Sequence, residues 1–307
     1  MFGMPLDGIP DFPEYRHIGL EDRQQLEGMF SRYPTEVSER TFASLYVWRA
    51  YDRSYLSQLD GHLLLFWYRE RFGRCILEPV GPDPASAIDV LKSEEKRPSL
   101  PFSGVFGMVD PLVSAMRERS LSPEPLRDEW DYVYRTEDLI RLEGPKYHTK
   151  RKEMKKATSE FDLSYEPMNR EMLKDCLALE ESWCDMKHCT LDRFTAAEDR
   201  AMKEALLNFY DLGMIGAVIL LGGKVQAMTV GENLNSSTAV VHFEKANPAV
   251  RGLCQVINQQ FCEHSLKDFE FVNREQDVGD PGLRRAKEGY HPHHFVEKHW
   301  LPLRRDQ

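Results

Sequence analysis

The chain has 307 residues, of which 41% are hydrophobic and 29% charged, and a formal net charge of −10. That is enough chain for one large or two ordinary globular domains, and the balance excludes a disordered or fibrous protein. The negative charge argues against a surface coated with cations for nucleic acid but leaves room for a local basic patch.

No apolar run approaches the roughly 20 residues of a membrane span. The start MFGMPLDGIPDFPEYRH carries acids and prolines where a signal peptide would be basic and then apolar, so a cytoplasmic protein is expected. Six cysteines (Cys75, Cys176, Cys184, Cys189, Cys254, Cys262) show no paired spacing, and free thiols are expected. Neither Cys184/His188/Cys189 nor Cys262/His264 with His291–His294 has the spacing of a structural zinc site, so no metal is expected.

In chain order, Leu20–Tyr33 and Glu39–Tyr51 read as amphipathic helices. Strand-like runs follow at Tyr55–Leu59, His62–Arg69 and Arg74–Val80, with Asp60-Gly61 and Arg71–Gly73 as turns. Gly81-Pro82-Asp83-Pro84 opens a helix reaching about Lys96. Next come a strand at Gly104–Val109, a helix opened by Asp110-Pro111, and a strand at Glu129–Arg135. The second half repeats this order. Helices are predicted at Asn169–Met186 and Ala196–Leu212, then strands at Gly216–Leu221, Lys224–Glu232 and Thr238–Lys245. A helix covers Val250–His264, a strand Phe269–Arg274, a helix Pro281–Tyr290 and a last strand His294–Trp300. The recurrence reads as a tandem duplication. The predicted class is α+β with α/β layers: two units, each a mixed, mostly antiparallel sheet flanked by helices. They are expected over residues 1–140 and 159–307, joined by a basic linker helix over 141–158.

That linker, GPKYHTKRKEMKKA, sets Lys146, Lys150, Arg151, Lys152, Lys155 and Lys156 against the single acid Glu153. It is either a solvated helix or a landing strip for phosphates.

The strand–helix order of each unit resembles the GNAT-type acyltransferase fold. LYVWR around Trp48, KYHTKRKEMKK, VHFEKAN, INQQF and NREQDVGDPGLRRAKEGYHP together are similar to the phosphatidylglycerol lysyltransferase C-terminal-like family, over roughly Glu14 to Trp300. The resemblance implies two GNAT-like units in tandem. It also implies, as in characterised relatives, transfer of an aminoacyl group from aminoacyl-tRNA to a lipid hydroxyl. Simpler acetyltransferases carry a Q/R-x-x-G-x-G/A phosphate loop. Here Gly252 fits it, whereas Ala249 and Cys254 do not, which weakens a coenzyme A reading.

Acyl transfer needs a base, donors for the oxyanion and cations for the donor's phosphates. Period two on Thr238–Lys245 puts His242 and Glu244 side by side on one face, either of them a base or an orienting group; a satisfied buried histidine is the plainer reading of His242. The next strand ends in Asn273-Arg274-Glu275-Gln276-Asp277, with Asn273 and Glu275 on one face and Arg274 on the other. Arg284 and Lys287 follow on a helix. The corresponding first-half helix has Leu112, Val113 and Met116 and no cations, which points to the second unit as the reactive one. The expected catalytic acids and bases are Glu244, His242, Glu275 and Asp277, and the expected substrate contacts are Asn273, Arg274, Arg284, Lys287 and Trp183. Lys150, Arg151, Lys155, Lys156 and Gly252 are expected to hold the acyl donor or its phosphates. The alternative for the acidic cluster is a surface network of Asp277 and Glu275 with Arg284 and Arg285, and for Trp183 a packed helix face.

No cofactor is expected beyond aminoacyl-tRNA or acyl-CoA as donor substrate. The expected partners are the acceptor end of tRNA, met through the basic linker, and a small-molecule or lipid-headgroup acceptor. Two other readings stay open: an acyl-CoA-dependent N-acyltransferase, and a non-catalytic binding protein for an amino-acid-like ligand.

Overall fold

The computed structural model describes residues 6–93, 102–187 and 192–303. Residues His188 and Cys189 and the end of the helix expected to reach Lys96 lie outside the described residues. In chain order the elements begin with β1 (Arg16–His17), α1 (Arg23–Arg32), α2 (Phe42–Val47), α3 (Arg49–Asp52), β2 (Tyr55–Leu59), β3 (His62–Arg69) and β4 (Gly73–Leu77). Then follow α4 (Pro84–Ser93), β5 (Gly104–Met108), α5 (Leu112–Glu118), β6 (Glu124–Pro125), β7 (Asp131–Arg135), α6 (Thr136–Arg141), α7 (His148–Glu160) and β8 (Leu163–Pro167). The remainder is α8 (Leu173–Lys187), α9 (Arg193–Leu207), β9 (Ile215–Leu221), β10 (Lys224–Asn233), β11 (Thr238–Ala246), α10 (Leu253–Ser265), β12 (Phe271–Asn273), α11 (Pro281–Glu288), β13 (His294–Val296) and β14 (His299–Pro302).

Local chemistry explains many of the boundaries. Asp60 and Gly61 both have positive φ, as do Gly222 and Gly223, so each pair forms the tight turn that its sequence promises. Asp192 caps α9 and Asp280 caps α11 by accepting a backbone N–H, with Pro281 in the first turn of α11. The expected linker helix over 141–158 divides: Thr136–Arg141 ends with Leu142 in a left-handed conformation, and the basic helix restarts at His148.

The strands form two seven-stranded sheets, β1-β2-β3-β4-β5-β14-β6 and β8-β9-β10-β11-β12-β7-β13. Position by position these are the same sheet. The first five strands correspond in sequence order, and β4–β5 and β11–β12 are the parallel pairs. The fold is α+β with two mixed sheets flanked by helices, a tandem GNAT-like arrangement.

The sixth strand of each sheet comes from the other half of the sequence. β7 lies antiparallel to β12, with Val272 opposite Tyr134, and β14 lies antiparallel to β5, with Leu301 opposite Val105. The compact units are therefore Tyr132–Phe295, and Met1–Asp131 with Val296–Gln307, rather than 1–140 and 159–307. Strand periodicity gives each strand's faces but not its partner, and the two sixth strands are equivalent candidates for either sheet. The single strand expected over His294–Trp300 is for the same reason two, β13 and β14, in different sheets.

In the first unit, Lys298 anchors the returning chain. Its fully buried ammonium donates to Asp131 at 2.7 Å and to Glu39. Burial pushes the Glu39 carboxyl up to about 7, against the pull of Lys298. The core of this unit gathers Leu64, Phe66, Ile76, Ile88, Leu91, Val105 and Leu301 between sheet and helices. In the second unit Ala239, Val241, Val272, Leu253, Ile257 and Phe261 do the same.

The exchange predicts how the chain can be cut. A fragment spanning 131–296 contains all seven strands of its sheet and should unfold in one cooperative urea transition. A fragment spanning 1–140 lacks β14 and should give a broad, weakly cooperative transition.

Candidate functional site

In the second unit, β11 and β12 run parallel and pair at three successive positions: Thr238 with Phe271, Ala239 with Val272 and Val240 with Asn273. Beyond Val240 and Asn273 they part. Ionic bridges span the fork on both faces of the sheet, as strand ends bordering a cleft commonly carry sites.

Which residues reach which face is decided by a bulge. Val230 of β10 stands opposite Phe243 and Gly231 opposite Val241, so β11 advances two residues for one of β10 and His242 is the extra residue. Gly231 has room for this because it lacks a side chain: a Cβ there would lie 2.3 Å from the Val240 carbonyl oxygen. After the bulge, alternation is inverted. Ala239, Val241 and Ala246 pack with α10, and Glu244 accepts from Asn258 of α10 at 3.3 Å. His242 and Lys245 point to the opposite face. The expectation that His242 and Glu244 stand side by side is corrected on this ground.

On the α10 face, Arg274 bridges to Glu244 at 3.3 Å to each carboxylate oxygen. Its guanidinium carbon lies 5.0 Å from the centre of the Tyr290 ring. On the other face His242 is clamped between two carboxylates, Nε2 at 2.8 Å from Glu232 and Nδ1 at 2.7 Å from Glu275. Burial opposes the charge, but hydrogen bonds to both glutamates outweigh it and raise the imidazole to about 10. A doubly bonded imidazolium is a brace at neutral pH, not a base. Glu275 is held in a left-handed conformation, φ +58°, its N–H donating to the fully buried Asn273 Oδ1 at 2.7 Å. Asn273 therefore shapes this turn from inside the protein.

Asp277, Arg284 and Lys287 also brace the fork. Asp277 is fully buried and accepts from Tyr132 at 2.6 Å, from Arg284 at 2.8 Å to each oxygen, and from the Gly279 amide. Burial raises its pKa, yet the hydrogen bonds from Arg284 and Tyr132 prevail and hold it at about 2. So low a value suits an anchor and not the general base first expected. Lys287 donates to the carbonyl oxygens of Arg274 and Gln276 at 2.6 and 2.5 Å, fixing the turn that presents Arg274.

The basic helix meets the fork through one residue. Met154 and Ala157 form the inward stripe of α7, and Lys150 is on it one turn earlier. The Lys150 ammonium lies 4.1 Å from the centre of the Tyr290 ring. Burial and the nearby Arg274 lower its pKa, and Glu244 and Cys254 also act on it. Arg151 turns away to bond the carbonyls of Leu142 and Gly144, capping the preceding turn, while Lys155 and Lys156 are exposed. Gly252 does not cradle a phosphate. At φ +91° it starts α10, and a Cβ there would meet the Glu153 carbonyl oxygen of α7 at 2.3 Å, so the glycine serves the approach of two helices.

The α10 face thus gathers Glu244, Arg274 and Lys150 with Asn258, Cys254 and Tyr290. Arg274 Nη1 and Asn258 Oδ1 are buried there without hydrogen-bond partners among the described residues. So is the hydroxyl of Thr229, which stands opposite Glu244. Orphaned buried polar atoms are uncommon and point to an absent water or ligand. Sequence reasoning missed Asn258, Thr229 and Glu232. Lys150 was expected as part of a charge run, and the i, i+4, i+7 stripe was the signal singling it out. Trp183 lies on the opposite face, under the Lys245 ammonium at 3.6 Å.

In the first unit the equivalent fork is lined by Val37, Glu39, Arg40, Glu78 and Gly107. Beyond Leu77 and Phe106, Glu78 accepts from the Val109 amide at 3.1 Å and spans the gap.

The sequence matches the family model of the C-terminal region of phosphatidylglycerol lysyltransferase over residues 30–301. A conserved protein of unknown function from Bacteroides thetaiotaomicron is 27% identical, with a TM-score of 0.87, covering 94% of this chain and 99% of that one. The C-terminal domain of a protein assigned as a lysylphosphatidylglycerol synthetase from Agrobacterium fabrum is 12% identical, with a TM-score of 0.67, covering 93% and 92%. L-PGS from Bacillus licheniformis is 12% identical, with a TM-score of 0.63, covering 98% and 95%. These last two likenesses show the fold. Comparison with curated proteins returned no match. No helix among the described residues is long and apolar enough to cross a membrane.

Two predictions follow from the braces. Replacing His242 by Gln leaves two acids facing each other and should cost about 3–5 kcal/mol. The wild-type advantage should be full below about pH 6.5 and vanish as pH rises through about 10, because the folded-state pKa is raised. Asp277→Asn should cost about 1–3 kcal/mol at pH 7. Here the folded-state pKa is lowered, so the wild-type advantage should fade as pH drops below about 4 and be gone near 2. Urea unfolding across pH checks both.

Proposed function

The chain belongs to the phosphatidylglycerol lysyltransferase C-terminal family, and from that premise we propose that it is an acyltransferase. In this reading it moves an aminoacyl group from aminoacyl-tRNA to a small amine, a hydroxyl or a lipid headgroup. The observation that carries the reading is the meeting of Glu244, Arg274 and Lys150 at the β11–β12 fork, where the helix supplying Lys150 also bears an exposed row of cations.

Glu244 takes the proton of the acceptor's amine or hydroxyl, which attacks the ester carbonyl carbon of the aminoacyl group. The negative charge that develops on the carbonyl oxygen faces Arg274, whose Nη1 has donor capacity to spare. As the ester C–O bond breaks, the departing ribose oxygen takes a proton from Lys150, made more acidic by burial and by Arg274. The new bond joins acceptor and acyl carbon, and the proton on Glu244 returns to Lys150. Lys152, Lys155 and Lys156, exposed on the outer side of α7, meet the phosphates of the tRNA acceptor end. Aminoacyl-tRNA is preferred to acyl-CoA as donor because Gly252 is engaged with α7. The donor is a cytoplasmic molecule, and the reading puts the reaction there.

The test is mass spectrometry of products after incubation with a pool of aminoacyl-tRNAs and candidate acceptors. Glu244→Gln should lower turnover by about 10²–10⁴-fold. Neutralising Lys152, Lys155 and Lys156 together should weaken tRNA binding and flatten its salt dependence, with turnover at saturation kept. Transfer that survives unchanged in Glu244→Gln sinks the assignment of the base. Acyl transfer from acyl-CoA alone moves the case to the alternative donor.

A further inference from the structure

On the face of the second sheet opposite Glu244, the packed helices α8 and α9 hold a carboxyl group that the reaction above does not use. Glu180 of α8 is fully buried, 0% exposed, and neither of its oxygens has a hydrogen-bond partner among the described residues. Leaving a carboxylate buried and unbonded costs several kcal/mol, so such a group is either protonated or awaits a cation.

The neighbouring charges leave Glu180 as the odd one out. Lys245 of β11 donates to Glu198 of α9 at 2.8 Å, and Lys203 donates to Asp199 at 3.0 Å. These four act most strongly on Glu180, and since each lysine is paired with its own acid, neither is left over for Glu180. Trp183, one turn along α8 and partly exposed, already presents its ring to an ammonium, that of Lys245, at 3.6 Å. The surroundings of Glu180 therefore combine an uncompensated acid, a second carboxylate and an aromatic face. A carboxyl beside an aromatic face that already takes an ammonium suits an organic cation, and among the described residues no group of three or more His, Cys, Asp or Glu side chains could hold a metal ion.

We propose that Glu180 and Trp183 form a binding site for the primary ammonium group of a small organic amine, which ion-pairs with Glu180 beside Lys245. This site does not depend on the reaction proposed above. In the empty state burial pushes Glu180 up to about 7, against the attraction of Lys245 and with the help of Glu198 and Asp199. An ammonium arriving there displaces a proton from any protonated Glu180, so binding releases protons near neutral pH.

The probe is 1,5-diaminopentane, with sodium chloride at matched ionic strength and tetramethylammonium, which has no N–H, as controls. Thermal unfolding of the wild-type protein should rise by about 2 °C or more with the diamine and not with either control. Glu180→Gln should melt no lower than wild type in the absence of amine and should lose the response. Because that variant can fail to fold, calorimetry on the wild-type protein supplies a second reading. Titration with the diamine in buffers of different ionisation enthalpy should show proton release near pH 7 that fades as pH rises. An equal shift in Glu180→Gln, a wild-type response no larger than that to sodium, or binding without proton release overturns the proposal.

Discussion

One extra residue in β11 determines how the second unit uses its ionisable side chains. A strand that alternated without interruption would keep Ala239 and Val241 on the α10 face and put both His242 and Glu244 against the opposite layer. The bulge at His242 rotates everything after it by one position. Glu244 then turns toward α10, Arg274 and Lys150, while His242 and Lys245 turn toward Glu232, Glu275 and the α8–α9 layer. The distortion needs Gly231 opposite it, and the fork between β11 and β12 opens just past it. Bulge, glycine and fork make one construction.

The buried charges of the second unit fall into two kinds. His242, Asp277 and Lys287 are engaged on several sides by groups of opposite charge or by backbone carbonyls, and they fix the turn from Asn273 to Asp277. Arg274, Lys150 and Glu180 are incompletely matched: a donor atom without partner, an amine depressed by burial and by a neighbouring cation, a carboxyl without hydrogen bonds among the described residues. Mutating the first kind tests stability, because a buried ion stripped of its partner is expensive. The second kind has capacity left for a ligand, which is where perturbed groups report on function.

The repeated order of strands and helices was legible in the sequence because its signals are local. Asp60-Gly61 and Gly222-Gly223 demand positive φ, and Asp280-Pro281 starts a helix wherever it stands. The run from Asn273 to Lys287 was legible as a dense polar segment at a strand edge. What those side chains do was not, since Tyr132, which holds Asp277, is remote in sequence and reaches it only because β7 pairs with β12. The bulge was hidden as well, for His242 breaks a pattern that is regular on both sides of it. Lys150 stood in plain view among like charges; its neighbours Met154 and Ala157 mark it as the inward one.

The crossed sixth strands impose an order on synthesis. Everything the second sheet needs, β7 through β13, leaves the ribosome as one uninterrupted stretch. The first sheet has its opening five strands long before that, yet β5 must wait, one edge unpaired, until some 190 residues later β14 arrives. The nascent protein should thus finish its second half first, and the late-arriving Lys298 closes the earlier-made half by meeting Glu39 and Asp131.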